Sequence, residues 1–584
     1  MGYGKGARIR DILSDPAARS VAARYVPALT CSPVLEHMGF LPLSAVLAAP
    51  GAAAPDPADL DAMWQELGRL EGTPRACADA PYVDPARDYE PDSVGRGSAR
   101  VRPTGPSEKW GVTELVIDGP SHGNPFTDVE LSAQFTDPGG HATSADGFYD
   151  GDGVYRVRFS APRAGAWSYM TTSTARSLDG LRGTFEVRPP GPGNHGPVGV
   201  ADRFHFAYRD GTRFVPIGTT AYAWTHQPET LQERTLATLA DAPFRKLRMC
   251  VFPKSYQFST NEPARYLFAR DDEGGWDFTR FDPAFFRHLD RRIGQLTELG
   301  IETDLILFHA YDRWGFSEMP RAVDDRYVQY LVRRLAAYRA VWWSLANEYD
   351  LLSWKTAQDW ERLAEVIRRN DHVGHLTSIH NCHGFYDHSR PWITHCSIQR
   401  TDVYRTAENT GEWRQAYGKP VIVDECGYEG DIDQGWGNLS GQELVRRFWE
   451  GAVRGGYVGH GETYLNDREE LWWSKGGELA GDAPARIRFL LSVIDAAPGG
   501  VLEPLTSDWD VRWGGAEDCR IAYFGFGRPR YRDIVMAPGT RWHVDVIDTW
   551  NMTIDRQPEI AEGCFRVPLP GREYMAIRLI RAGD

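Results

Sequence analysis

No apolar run in the 584 residues is long enough to cross a bilayer, which takes about 20 consecutive apolar residues in a helix. The N-terminus, MGYGKGARIRDILSDPAARS, lacks the apolar core of a secretory signal and has no Ser or Thr at the sixth position for myristoylation. The eight cysteines form no CxxC pair, so zinc and dithiol motifs are missing. Without an export signal, the expectation is reduced thiols and a cytoplasmic location. Positive charge is also short: 65 Lys and Arg face 80 Asp and Glu, a net charge of −15. That balance disfavours a nucleic-acid or anionic-membrane partner. No HExxH or spaced His cluster is present, so neither a metal nor a cofactor is expected. Solenoid-period repeats and low-complexity tracts are absent.

What is present is a chain too long for one core, at ordinary globular composition, 42% hydrophobic and 25% charged. Its rhythm divides it into four segments. Residues 1–94 read as a helical segment and linker: DPADLDAMWQELGRLEG has an Asp cap, an apolar stripe and a terminal Gly. Residues 105–190 alternate with period two in short runs such as TELVIDG, GVYRVRFSAP and GAWSYMTTS, the pattern of a β-sandwich. Residues 200–497 alternate short apolar runs with amphipathic stretches, eight units in all, the signature of a (β/α)8 barrel. The fifth helix, around 384–391, is the poorest of the set. Residues 498–584 return to strands and read as a C-terminal β-sandwich. The fold class is therefore multidomain α/β: a central TIM barrel with a helical N-terminal segment and flanking β domains.

In such barrels, function sits where strands end at the C-terminal face. The fourth run, AVWWSLANE, ends in Asn347-Glu348, and the seventh, KPVIVDE, ends in Glu425. Two carboxylates across a barrel mouth suit glycosidic bond cleavage: one stays protonated to assist the leaving group while the other is ionised. Asp424 precedes Glu425 and, by strand alternation, should face the helices. Cys426 has no base partner and reads as a packed thiol. Other residues at the correct ends of their strands are Trp224, His309, Tyr311, Asp312, His380, Asn381, Gln399, Glu462 and Tyr464, and Trp473 comes later, after strand eight. Each is a candidate sugar contact, with loop packing as the plain alternative. Glu462 also ends a strand and is the rival acid.

WSLANE followed by VIVDE resembles clan A of the glycoside hydrolases. The resemblance implies Glu348 as acid/base, Asn347 on the sugar 2-hydroxyl, Glu425 as nucleophile and Arg248 as its support. NPFTDVELSAQFT and VIDTWNMTI with LPGREYMAIRL resemble the flanking modules of bacterial glycosidases related to apiosidase-like barrels. The sequence departs from the clan at strand six, where Gln399 stands in place of a His-x-Tyr, and at strand eight, where Glu462 and Tyr464 replace a Trp. The expected activity is a retaining, exo-acting glycoside hydrolase on small oligosaccharides or glycosides. A transglycosidase and a non-catalytic carbohydrate-binding barrel are the alternatives. The expected partner is a carbohydrate. The helical N-terminus either covers a neighbouring copy's site in a homo-oligomer or packs on its own barrel.

Overall fold

The computed structural model of the chain describes residues 3–30, 38–47, 56–70, 82–86, 88–102, 105–402 and 404–583. Cys31, Cys77 and the Pro103-Thr104 portion of the first linker lie outside them. The other six cysteines form no disulfide.

The eight barrel strands are Gly218–Thr220, Lys246–Cys250, Glu302–Phe308, Val341–Ala346, Thr377–Ser378, Cys396–Gln399, Val421–Glu425 and Tyr457–Val458, all parallel. Strands one to five form one ladder and six to eight another. Two parallel bridges, His380 with Ser397 and Thr219 with His460, close the ring. Helices follow strands in the expected order, with one correction. No helix lies between strands five and six; residues 384–391 form turns and extended backbone. Only Phe385 and Tyr386 are apolar between Gly384 and Pro391, too short a run for an apolar helical stripe.

The interior of the barrel is charged. Lys246 Nζ lies 2.9 Å from Asp304 Oδ2 and 2.6 Å from Asp424 Oδ1, and Ser397 Oγ donates to Asp424 Oδ2 at 2.6 Å. Asp424 therefore faces inward, against the expectation from alternation. The cause is a bulge: Ile398 pairs with Val423, yet Gln399 pairs with Glu425, leaving Asp424 as the extra residue. Both Asp424 and Glu425 consequently turn to the interior.

An antiparallel three-stranded patch, Val198–Ala201, His205–Tyr208 and Arg213–Phe214, closes the barrel floor. Its Phe206 and Phe214 pack on Trp342, with ring centroids 5.6 and 5.9 Å away. The sandwich spans Arg100–Arg188 in eight strands. Strand Ala142–Tyr149, which the sequence pattern did not mark, pairs with Leu131–Thr136 up to Asp146 and with Val154–Ser160 from Gly147 onward. A Cβ at Gly147 would stand 2.9 Å from the Arg156 carbonyl, so this passage from one sheet to the other needs glycine. The C-terminal domain is a seven-stranded antiparallel path with a separate two-stranded ribbon. The described parts of the helical segment, residues 3–30, 38–47 and 56–70, pack on their own barrel. The segment has its own core of Ile9, Ile12, Leu43, Met63 and Leu67.

Candidate active site

Strand four stops at Ala346 and delivers Asn347 and Glu348 to the barrel mouth. Glu348 adopts φ 53°, ψ 55°, the left-handed region. A non-glycine residue there costs about 1–3 kcal/mol and persists only where its surroundings fix it. The surroundings do so. Asn347 Nδ2 donates to Glu348 Oε2 at 3.2 Å, and the Tyr311 hydroxyl donates to the same oxygen. Asn347 Oδ1 accepts from Arg248 Nη2 at 3.3 Å and lies 3.1 Å from the Tyr222 hydroxyl oxygen.

Glu425 ends strand seven opposite. Its Oε1 accepts from the Tyr222 hydroxyl and lies 3.7 Å from Arg248 Nη1. Gln399, ending strand six, stands between the two acids. Only its nitrogen suits two carboxylates, and that orientation donates to Glu348 Oε1 at 3.3 Å and to Glu425 Oε2 at 2.9 Å. Those two oxygens are therefore separated by no more than the sum, 6.2 Å. Asn381 holds Gln399 in place: its Nδ2 donates to the Gln399 carbonyl at 3.1 Å, and its Oδ1 accepts from the Gln399 amide at 3.2 Å. This pair stands in for a ladder rung between strands five and six.

Burial raises the pKa of both glutamates, and their like charges raise Glu425 further. Arg248, the Tyr222 hydroxyl and Lys254 oppose this on Glu425, while the Tyr311 hydroxyl and Lys254 oppose it on Glu348. Two acids this close and this dry do not both ionise readily, and the guanidinium beside Glu425 favours the charge there. Burial works against the charge of Arg248 as well, but the acidic groups around it keep it cationic.

Sequence reasoning missed Tyr222 and Lys254. Tyr222 lies two residues beyond strand one and links Glu425 to Asn347. Lys254 follows strand two, and its ammonium lies 4.1 Å from the ring centroids of Tyr222 and Trp473 and 4.2 Å from that of Tyr311. Burial lowers its pKa, opposed by Cys250 and the two glutamates. The available signal was a lone cation among aromatics just past a strand end, in CVFPKSYQF.

Six sequence candidates belong elsewhere. Trp224 is fully buried in the barrel core, its indole NH directed at Met249 Sδ. His309 turns to the Phe252 carbonyl at 3.3 Å, and burial pulls its pKa down to about 3. Asp312 accepts from the backbone amides of Trp314, Gly315 and Ser317, shaping the loop after strand three. Glu462 accepts from the amides of Ala480 and Gly481, and Tyr464 donates to Glu429. The reason is register. His460 contacts Thr219 on the outer face of the barrel, and Glu462, two residues on, shares that face. His380 is buried in the barrel interior, where burial, then the charge of Arg248, holds it neutral. Trp473 does line the mouth, beside Trp436 at 5.0 Å. Cys426 is buried, and burial pushes its thiol up to about 12.

The outer cluster of Glu429, His460 and Glu462 is the one group of potential metal ligands among the described residues. Four backbone amides at 480–483 already serve its carboxylates.

A closed (β/α)8 barrel with paired glutamates at the ends of strands four and seven is the frame of clan A glycoside hydrolases. Residues 201–476 match the family model for the apiosidase-like catalytic domain, and residues 106–174 and 509–580 match two domains of unknown function, DUF5060 and DUF5605. A Bacteroides vulgatus protein described as a candidate glycoside hydrolase is 40% identical over 82% of this chain and 100% of its own, with TM-score 0.78. A family 5 glycoside hydrolase from Bacteroides vulgatus shares the fold at TM-score 0.52 and 16% identity, over 67% of this chain and 94% of its own. No curated protein matches. The chain belongs to the glycoside hydrolases, and its residues 201–476 match their apiosidase-like catalytic domain.

Proposed function

We propose that the protein is a retaining glycoside hydrolase in which Glu425 is the nucleophile and Glu348 the acid/base. The observation that carries this reading is the Gln399 bridge: one side-chain nitrogen donates to both acids, so the two face the same small space, with the bridged oxygens no more than 6.2 Å apart. A direct measure of the carboxyl spacing tests the mechanism, since retaining enzymes hold theirs about 5–5.5 Å apart and inverting ones about 6.5–9.5 Å. In the first step, Glu425 Oε attacks the anomeric carbon while the bond to the leaving oxygen breaks and Glu348 delivers its proton to that oxygen. In the second, Glu348 takes a proton from water, whose oxygen displaces Glu425 from the anomeric carbon. Arg248 and Tyr222 stabilise Glu425 as an anion before attack and again as it departs. Trp473 and Trp436 supply apolar faces for a sugar ring.

The loop after strand two folds into a hairpin of Phe268–Arg270 and Trp276–Phe281, and the insert after strand eight carries Trp473. Glu348 and Glu425 are 6% and 7% exposed. This supports exo-action on short glycosides.

The test is a panel of aryl pyranosides and furanosides of both anomers, run on wild type and Glu425→Ala with and without azide. Turnover lost in the variant and restored as a glycosyl azide of inverted configuration is the expected result. Turnover unchanged in Glu425→Ala would overturn the assignment.

A further inference from the structure

No family match includes the helical segment before residue 106, yet this segment reaches the acid/base. Phe40 is buried and packs in the barrel core cluster rather than in the segment's own core. Its ring lies 4.5 Å from that of Tyr311, tilted by 57°. Tyr311 in turn donates its hydroxyl hydrogen to Glu348 Oε2. A second prong grips the same loop: Arg10 Nη1 donates to the Asp312 carbonyl at 2.8 Å, and both Arg8 and Arg10 pair with Glu318. The Arg8 guanidinium also lies 5.0 Å over the Trp354 ring, on the loop after strand four. The two prongs form one unit, because the amides of Ile9 and Arg10 donate to the carbonyls of Leu41 and Gly39, at 3.0 and 2.9 Å, on either side of Phe40. Tyr256, with its ring centroid 5.4 Å away, and the Lys254 ammonium, 4.2 Å away, also border the Tyr311 ring, and Phe40 is the contact that the helical segment adds; without it the phenol is free to tilt away from Glu348.

We infer that the helical segment is a working part of the active site, and that Phe40 is a positioning residue that fixes Tyr311 on the acid/base. This rests on the reading of Glu348 as acid/base. The Tyr311 hydrogen bond favours ionised Glu348 and lowers its pKa. Losing that bond raises the pKa of Glu348 and misorients the carboxyl that must protonate the leaving oxygen.

The signature is leaving-group dependence. An alkyl or sugar alcohol leaves only with proton assistance, whereas 2,4-dinitrophenolate leaves without it. General acid catalysis is worth roughly 10²–10⁴-fold. For Phe40→Ala the expected result is a fall of roughly ten-fold or more in kcat/KM on a poor leaving group, with kcat/KM on the 2,4-dinitrophenyl glycoside within roughly three-fold of wild type, because kcat/KM reports the first step alone. The basic limb of the pH profile, set by Glu348, moves to higher pH. Phe40→Leu restores most of the loss. Arg10→Met, at the second prong, gives the same pattern more weakly and covers the case in which Phe40→Ala does not fold. A readout independent of any sugar is the ¹³C carboxyl titration of Glu348, identified by its loss in Glu348→Gln, which moves upward in Phe40→Ala.

Equal losses on both leaving-group classes, or an unmoved Glu348 titration, would overturn the inference. Glu348→Ala separates the two levels. If it shows no leaving-group dependence, the acid/base assignment itself fails. If it shows the dependence and Phe40→Ala does not, only the role of the helical segment fails.

Discussion

The Gln399 side-chain nitrogen stands 2.9 Å from Glu425 and 3.3 Å from Glu348, so one amide spaces both acids. Gln399→Leu keeps the volume and removes both donations. A hydrogen bond to a charged group is worth about 1.5–3 kcal/mol, which predicts a fall of roughly ten- to hundred-fold in kcat/KM. Steady-state kinetics on the best aryl glycoside checks this. Activity within two-fold of wild type would mean that the bridge does not set the spacing.

Tyr222 is predicted to govern the acid limb of the pH profile. Its hydroxyl lowers the pKa of Glu425, which burial and Glu348 raise. Attack requires ionised Glu425. Tyr222→Phe should therefore move the acid limb of kcat/KM to higher pH and lower kcat, with little change in KM. An acid limb that stays put, or moves to lower pH, would contradict the contact between Tyr222 and Glu425.

Beneath the site, Lys246 balances two buried carboxylates, Asp304 and Asp424. Removing one partner of a buried pair costs about 3–5 kcal/mol, and here it leaves Arg248, 3.4 Å from Asp304, as the remaining cation for two carboxylates. Lys246→Met should destabilise the fold by about that amount. Adding Asp304→Asn and Asp424→Asn to it should recover much of the loss. Denaturant midpoints measure both. A single variant as stable as wild type would show that the interior carboxylates take up protons without cost.

The barrel was legible because its apolar runs end abruptly in polar residues, as at Ala346-Asn347 and Val423-Asp424. The positions of Glu348 and Glu425 follow from those ends. Side-chain direction beyond a strand end does not. Alternation sent Asp424 outward, but a bulge turned it in. Strand-end position made Glu462 a rival acid, but the same alternation puts it with His460 on the outer face. Trp224 was favoured over Tyr222 although both follow strand one. Which of them reaches the mouth depends on a short 3₁₀ turn at Trp224–His226, and that turn has no sequence period. Lys254 was overlooked because a lone lysine in a loop is ordinarily solvated, and only the assembled rings of Tyr222, Tyr311 and Trp473 enclose it.

The sandwich joins the barrel through buried charge as well as through apolar contact, and this predicts joint unfolding. Arg334, on barrel helix Arg321–Leu335, is fully buried and reaches Asp150 of the sandwich at 2.8 Å and Asp290 of helix Pro283–Glu298 at 2.7 Å. Arg158 of the sandwich donates to the same Asp290 at 2.9 Å and to the Arg334 carbonyl at 2.9 Å. Burial would raise the pKa of Asp150, but Arg334 and Arg156 outweigh it and hold the pKa below the ordinary value. A depressed carboxylate stabilises the fold above its unfolded pKa, and that contribution is lost as the pH falls through the folded value. Wild type should therefore melt in one calorimetric transition at neutral pH. Arg334→Met leaves Asp150 and Asp290 short of a partner and should cost about 3–5 kcal/mol, with the sandwich and barrel transitions separating. Two well-separated transitions already present in wild type at neutral pH would show that the charged seam does not couple the domains.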